Sequence, residues 1–129
     1  MKLILCSEGF STKEIVDKCL ELVGKPKGSI NVAIINEAYA VEQNNLWWVL
    51  KNLNRVKDSF GGNLELVNLL ALDLSEIKKR MERSDIISVV GGHTDYLMSV
   101  FSINQDFLSF CQNCLNQKCT WVVVLDQWF

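Results

Sequence analysis

Short apolar runs alternating with stretches of helical period constrain this chain more than any other feature of its sequence. Leu3-Ile4-Leu5-Cys6 is the continuous run of a strand buried on both faces, and Ser7-Glu8-Gly9-Phe10 ends it. Ser11-Thr12 then precede Ile15, Val16, Cys19, Leu20, Leu22 and Val23, apolar at helical spacing, with a hydroxyl N-cap in front and Gly24 and Pro26 behind. Residues 30–35 read as a second buried strand. Residues 38–60 read as a helix carrying Leu46, Val49, Leu50, Leu53 and Val56, closed by Gly61-Gly62. Residues 64–70 predict a third strand, and Ser75 is placed to cap a helix carrying Ile77 and Met81. Ile86-Ile87-Ser88-Val89-Val90 is a fourth strand that runs straight into Gly91-Gly92, and Val122-Val123-Val124 makes residues 121–125 a candidate fifth. Strands and helices in this alternation build βαβ units, so the expected class is α/β: a parallel sheet with helices on both faces.

The chain has 129 residues, the length of one domain, and 49% of them are hydrophobic with a single Pro, which is ample apolar material for one core. Thirteen basic residues are scattered among fifteen acidic ones, so no basic patch marks a nucleic-acid or anionic-lipid partner. No apolar run approaches the roughly 20 residues of a membrane span, and the apolar start meets Ser7-Glu8 too soon for a signal peptide. The expected location is therefore the cytoplasm. Five cysteines are an odd number and imply no disulfide framework; Cys6 and Cys19 sit in apolar patterns as reduced thiols.

In parallel sheets ligands collect beyond the carboxyl ends of strands, which directs attention to residues 7–10, 36–40 and 91–95. Gly91-Gly92-His93-Thr94-Asp95 leaves a strand and opens a helix, where two glycines let backbone N–H groups approach an anionic ligand. The plainer alternative is a tight turn with Thr94 or Asp95 as N-cap. His93 is the only histidine, hence the only imidazole available as a general base, although a loop histidine also serves as a contact or a bystander. Asp73 with Glu76, and Glu82 with Asp85, read as solvated charges at helix ends. Cys111-Gln112-Asn113-Cys114 has redox or zinc spacing with Cys119 nearby, but no further histidine or cysteine follows to complete a zinc set. No metal or cofactor is expected. Trp47-Trp48 should divide between the core face and the rim of its helix, with an aromatic ligand platform as the alternative.

The order of these elements, together with a strand leading into Gly91-Gly92-His93-Thr94-Asp95-Tyr96-Leu97, resembles the peptidase E family, the aspartyl dipeptidase-like serine peptidases. The resemblance covers residues 1–101. It implies a three-layer fold like that of class I glutamine amidotransferases, incomplete at its C-terminus, and hydrolysis of short peptides with an acidic N-terminal residue. In that family a G-G-N-T-x-x-L segment contributes glycine N–H groups to the oxyanion hole. The resemblance thus gives Gly91, Gly92, His93 and Thr94 the role of an oxyanion and substrate loop, with His93 standing where Asn is common. The family's next strand ends in a G-S-S-A-G nucleophile elbow, and this sequence contains none.

Residues 102–129 fit a shifted reading frame, in which each triplet takes the last base of one codon and the first two of the next. Trp121-Val122 then forces Gly; the following junctions permit Ser, Ser, Ala, Gly and Ser, so that the segment reads V-G-S-S-A-G-S-M-V. The same shift accounts for Cys111, Cys114 and Cys119 crowding into the last nineteen residues with Trp121 and Trp128. The expectation is therefore one α/β domain over residues 1–129, with a peptidase E-like part at 1–101 and an out-of-frame tail at 102–129. As such it would hold no catalytic residue and would hydrolyse nothing. The rival expectations are a small α/β module that holds an anionic ligand at residues 91–95, and a thiol or zinc protein built on Cys111, Cys114 and Cys119. Sheet neighbours absent beyond the tail strand would leave an exposed edge or apolar face that favours self-association.

Overall fold

The computed structural model describes residues 1–43, 46–116 and 121–126. Along the chain run β1 (Lys2–Cys6), α1 (Lys13–Val23), β2 (Ile30–Ile35), a 3-10 turn (Glu37–Tyr39) and α2 (Trp47–Phe60). They are followed by β3 (Gly61–Val67), α3 (Leu74–Glu82), β4 (Ile86–Val89), α4 (Thr94–Ile103), α5 (Gln105–Asn116) and β5 (Val122–Asp126). The five strands form one parallel sheet in the order β1-β5-β4-β2-β3. The fifth strand expected from the valine run is thus present, and it lies inside the sheet, with Val123 opposite both Leu3 and Ile87.

Alternation along the strands separates two apolar layers. Val32, Ile34, Ile86, Val122 and Val124 face α1 and α2, where Cys19, Val56 and Phe60 meet them. Ala33, Ile35, Ile87 and Val89 face α3, α4 and α5, where Ile77, Met81, Val100 and Phe107 meet them. Both faces are covered, which is why β2 and β4 read as largely apolar runs, interrupted only by Asn31 and Ser88.

The helix ends carry local explanations. Thr12 Oγ1 accepts the Ile15 N–H at 3.4 Å to open α1, and Gly24 closes it at φ +73°. The cap of α3 is Asp73, whose Oδ1 accepts the Glu76 N–H at 2.8 Å, and not Ser75. The helix expected over residues 38–60 divides: a 3-10 turn comes first and α2 starts only at Trp47. Glu37, a fully buried side chain, ties that turn across to the loop after β3 by accepting the Leu69 N–H on its Oε1. β3 ends at Val67, three residues before the expected end of that strand, because Asn68 Oδ1 accepts the N–H groups of Leu70 and Ala71 at 3.0 and 2.8 Å.

Candidate functional site

The site grows from the carboxyl end of β4, a strand with every residue buried. Past the strand, the Val90 N–H donates to the Ile35 carbonyl at 3.1 Å and keeps the backbone parallel to β2 as it leaves the sheet. Gly91 is buried. Gly92 adopts φ +144°, and a Cβ there would stand 2.5 Å from the Ala38 carbonyl oxygen, so only glycine fits. The His93 N–H donates to that same Ala38 oxygen at 2.6 Å. Loop 91–93 is therefore pinned to the 3-10 turn by one carbonyl. Among the described residues no hydrogen bond engages the N–H of Gly91 or of Gly92.

His93 itself caps α4: its Nδ1 accepts the Tyr96 N–H at 3.3 Å, so the cap is neither Thr94 nor Asp95. That bond engages Nδ1 on an otherwise exposed side chain, so Nδ1 serves the helix end. Gly91, Gly92 and Thr94 share a cavity of about 120 Å³ with Ala38, Met98 and Leu125. The loop thus faces the end of β5, one strand away from β4 in the sheet. The amino end of α4 adds a partial positive charge at the same place.

A second cavity, of about 330 Å³, also reaches Gly92 and is lined, among the described residues, by Glu42, Trp47 and Trp48 with it. The two indoles divide as expected: Trp48 packs edge-on to Tyr39 at 6.1 Å beside the core, and Trp47 is 59% exposed. Lys51 Nζ sits 5.5 Å over the Trp47 ring. Glu42 is half-buried, and its N–H donates to the Tyr39 carbonyl at 3.1 Å. The sequence reading did not single out Glu42, because one Glu in a polar stretch carries no pattern.

It also missed Glu37. Burial raises the carboxyl pKa above its ordinary value, against the N–H groups of Leu69, Glu37, Leu70 and Asn36 that favour the carboxylate. Its Oε2 is buried and has no partner among the described residues. The available signal was a charged residue two positions past the end of an apolar strand, where a buried carboxyl has to be tied to backbone N–H groups.

The cysteines lie elsewhere. Cys111 and Cys114 pack from α5 against the apolar layer, and burial, then the neighbouring Cys114, pushes the Cys111 thiol up to about 11. Burial pushes Cys19 up to about 12. These shifts run opposite to those of a reactive thiolate. Among the described residues no three His, Cys, Asp or Glu side chains are grouped to hold a metal ion, and Cys119 falls outside them. Asp73 and Glu76 stand at the start of α3, one as its cap and the other paired with Arg80 at 2.8 Å. No helix among the described residues is long and apolar enough to cross a membrane.

No family model matches the sequence, and no curated protein matches it. A solved structure does: the 1.5 Å crystal structure of a protein from Listeria monocytogenes EGD-e, provisionally named peptidase E, superposes with a TM-score of 0.74 at 22% sequence identity. The match covers 98% of this chain and 59% of the other, so the chain spans little more than half the length of the protein it resembles. The likeness establishes a peptidase E-like fold and extends past residue 101, because a match over residues 1–101 alone could not reach that coverage.

Proposed function

We propose that residues 1–101 are the acyl-binding part of a peptidase E-like serine peptidase acting on short peptides in the cytoplasm, and that residues 102–129 are an out-of-frame sequence in place of the nucleophile segment. This chain then binds short peptides without hydrolysing them. The observation that supports the reading most is the pair of N–H groups on Gly91 and Gly92, held at the end of β4 by the Ala38 carbonyl and unengaged among the described residues. Donors fixed in advance by the backbone are what an acyl carbonyl needs as negative charge develops on its oxygen. Gly91 and Gly92 donate, Ala38 orients them, and the amino end of α4 adds a favourable field. His93 is spent as the helix cap.

The missing step is the attack. A serine hydroxyl needs a base and a turn that exposes it, and the sequence contains no G-x-S-x-G. The shifted frame would supply one in the right place. Its Ser-Ala-Gly falls over residues 123–126, at the end of β5, where Leu125 already shares a cavity with Gly91 and Gly92.

Two measurements test this. Sequencing the nucleotides of codons 100–129 should show G-S-S-A-G in the shifted frame, followed by further open frame. The 129-residue chain should leave dipeptides intact, while a version with the frame restored near Ser102 and carried through the downstream open frame should cleave them; each lost member of such a constellation costs several powers of ten in rate. Turnover by the 129-residue chain that disappears on substituting one Ser or Cys would overturn the reading. A module that holds a carboxylate at residues 91–95 without any catalysis is the second reading, favoured by the same N–H groups and helix end. A frame-restored protein that binds but never cleaves would select it.

A further inference from the structure

The structure assigns Glu37 the role of a positioning residue: its buried side chain sets where the Gly91 and Gly92 N–H groups stand, an inference that rests on the acyl-binding reading above. The 3-10 turn that carries the Ala38 carbonyl has little of its own to hold it in place. It is three residues long, it closes with the Ala40 N–H on the Glu37 carbonyl at 3.0 Å, and among the described residues no side chain caps its start. A turn so short takes its position from what it is tied to.

On the side of α2, the Tyr39 ring meets Trp48 edge-on, a contact that tolerates sliding. On the side of β3, Glu37 Oε1 accepts the Leu69 N–H, and that bond is directional. Leu69 is a firm anchor. Its side chain is buried in the layer of Ile77, Val100 and Phe107, and its carbonyl accepts Asn104 Nδ2 at 3.1 Å. From this anchor the Glu37 side chain fixes its own backbone; the carbonyl of the next residue, Ala38, takes the His93 N–H at 2.6 Å, and Gly92 packs on the same oxygen. A shift at Glu37 is thus passed through one residue to the acyl loop. The side chain has to supply an acceptor at this reach, and an acceptor need not be charged to take an N–H, so an amide of equal length serves the same purpose.

Amide hydrogen exchange and peptide binding by the 129-residue chain test this without any turnover. Glu37→Gln keeps the length and loses the charge, Glu37→Asp keeps the charge and loses a methylene, and Glu37→Met keeps the length and loses the acceptor. The first two alter one group each, so both should fold whatever becomes of the third. The His93 N–H should exchange about tenfold faster in Glu37→Asp and Glu37→Met, measured against the Ile87 N–H inside the sheet, and should stay within about twofold of the unaltered chain in Glu37→Gln. Binding of Ala-Ala, followed by calorimetry, should weaken about fivefold to tenfold in the same two variants but not in Glu37→Gln, the size of one hydrogen bond made poorly. A role confined to stability would speed His93 and Ile87 by the same factor, and that result, or no response at His93, would overturn the inference. So would Glu37→Gln behaving like Glu37→Asp, or Ala-Ala binding that stays unchanged while His93 responds. If Ala-Ala binds neither the unaltered chain nor any variant while His93 responds as stated, Glu37 still positions the loop and the acyl-binding reading alone fails.

Discussion

The carbonyl of Ala38 is the atom on which the candidate site is built, because Gly92 packs on it and the His93 N–H bonds to it. Gly92→Ala should therefore cost more than a glycine substitution made for backbone shape alone. Gly24 provides the comparison: it too has positive φ, +73°, but a Cβ there meets nothing within 4 Å. Gly24→Ala is expected to lose about 1 kcal/mol from the left-handed backbone. Gly92→Ala should lose about 3 kcal/mol, since its backbone region is nearly closed to other residues and the added carbon collides with Ala38. Urea unfolding of both variants checks the order. Glu37 gives a second outcome, read against pH. Its folded pKa lies above that of the unfolded chain, so the folded state holds the proton more strongly. Its contribution is fully present below the unfolded carboxyl value of about 4.3 and is lost as pH rises through the raised folded value. Glu37→Gln should flatten that slope in unfolding curves taken upward from pH 4, and a slope unchanged by the substitution would remove Glu37 as its source.

Individual elements differ in how much of them the residues announce. The strands were legible because β2 and β4 are buried on both faces and have no polar alternation to mistake, and α1 was legible because its caps and its apolar stripe agree. The start of α2 was not. The apolar positions of that helix run from Leu46 onward, and the sequence gives no sign of the long-range bond from Glu37 to the Leu69 N–H that ties the 3-10 turn before it to the loop after β3. The same limit applied to the loop, where Gly91 and Gly92 stood out as candidates but their contact with Ala38, and the nearness of Glu42 and both tryptophans, arise from tertiary packing. At α3 the ambiguity was local, since Asp73 and Ser75 can both cap a helix. The observed Asp73 bond decides it. Asp73→Ala should destabilise the protein by about 1 kcal/mol, while Ser75→Ala should stay within about 0.5 kcal/mol. Thermal or urea melts that reverse this order would place the cap at Ser75.

At the scale of the whole molecule, the sheet ends on one side at β1, which among the described residues pairs in the sheet with β5 alone. Leu3 and Leu5 lie opposite Val123 and Leu125, on the face that α3, α4 and α5 cover elsewhere, yet they are 53% and 71% exposed. The helices stop short of this edge. Between α5 and the sheet a cavity of about 230 Å³, bordered by Met1, Val123, Phe107 and Trp121, continues the same apolar surface inward. An open strand edge beside exposed leucines is the arrangement that favours pairing with another chain. The chain should therefore associate as its concentration rises, and sedimentation velocity across a wide concentration range should show the average mass increasing. Leu5→Lys places a charge on the edge strand at an already exposed position, so it should change folding stability by no more than about 0.5 kcal/mol while shifting the distribution toward monomer. Monomer at every concentration, or association that Leu5→Lys leaves unchanged, would show that this edge is not where the chains meet.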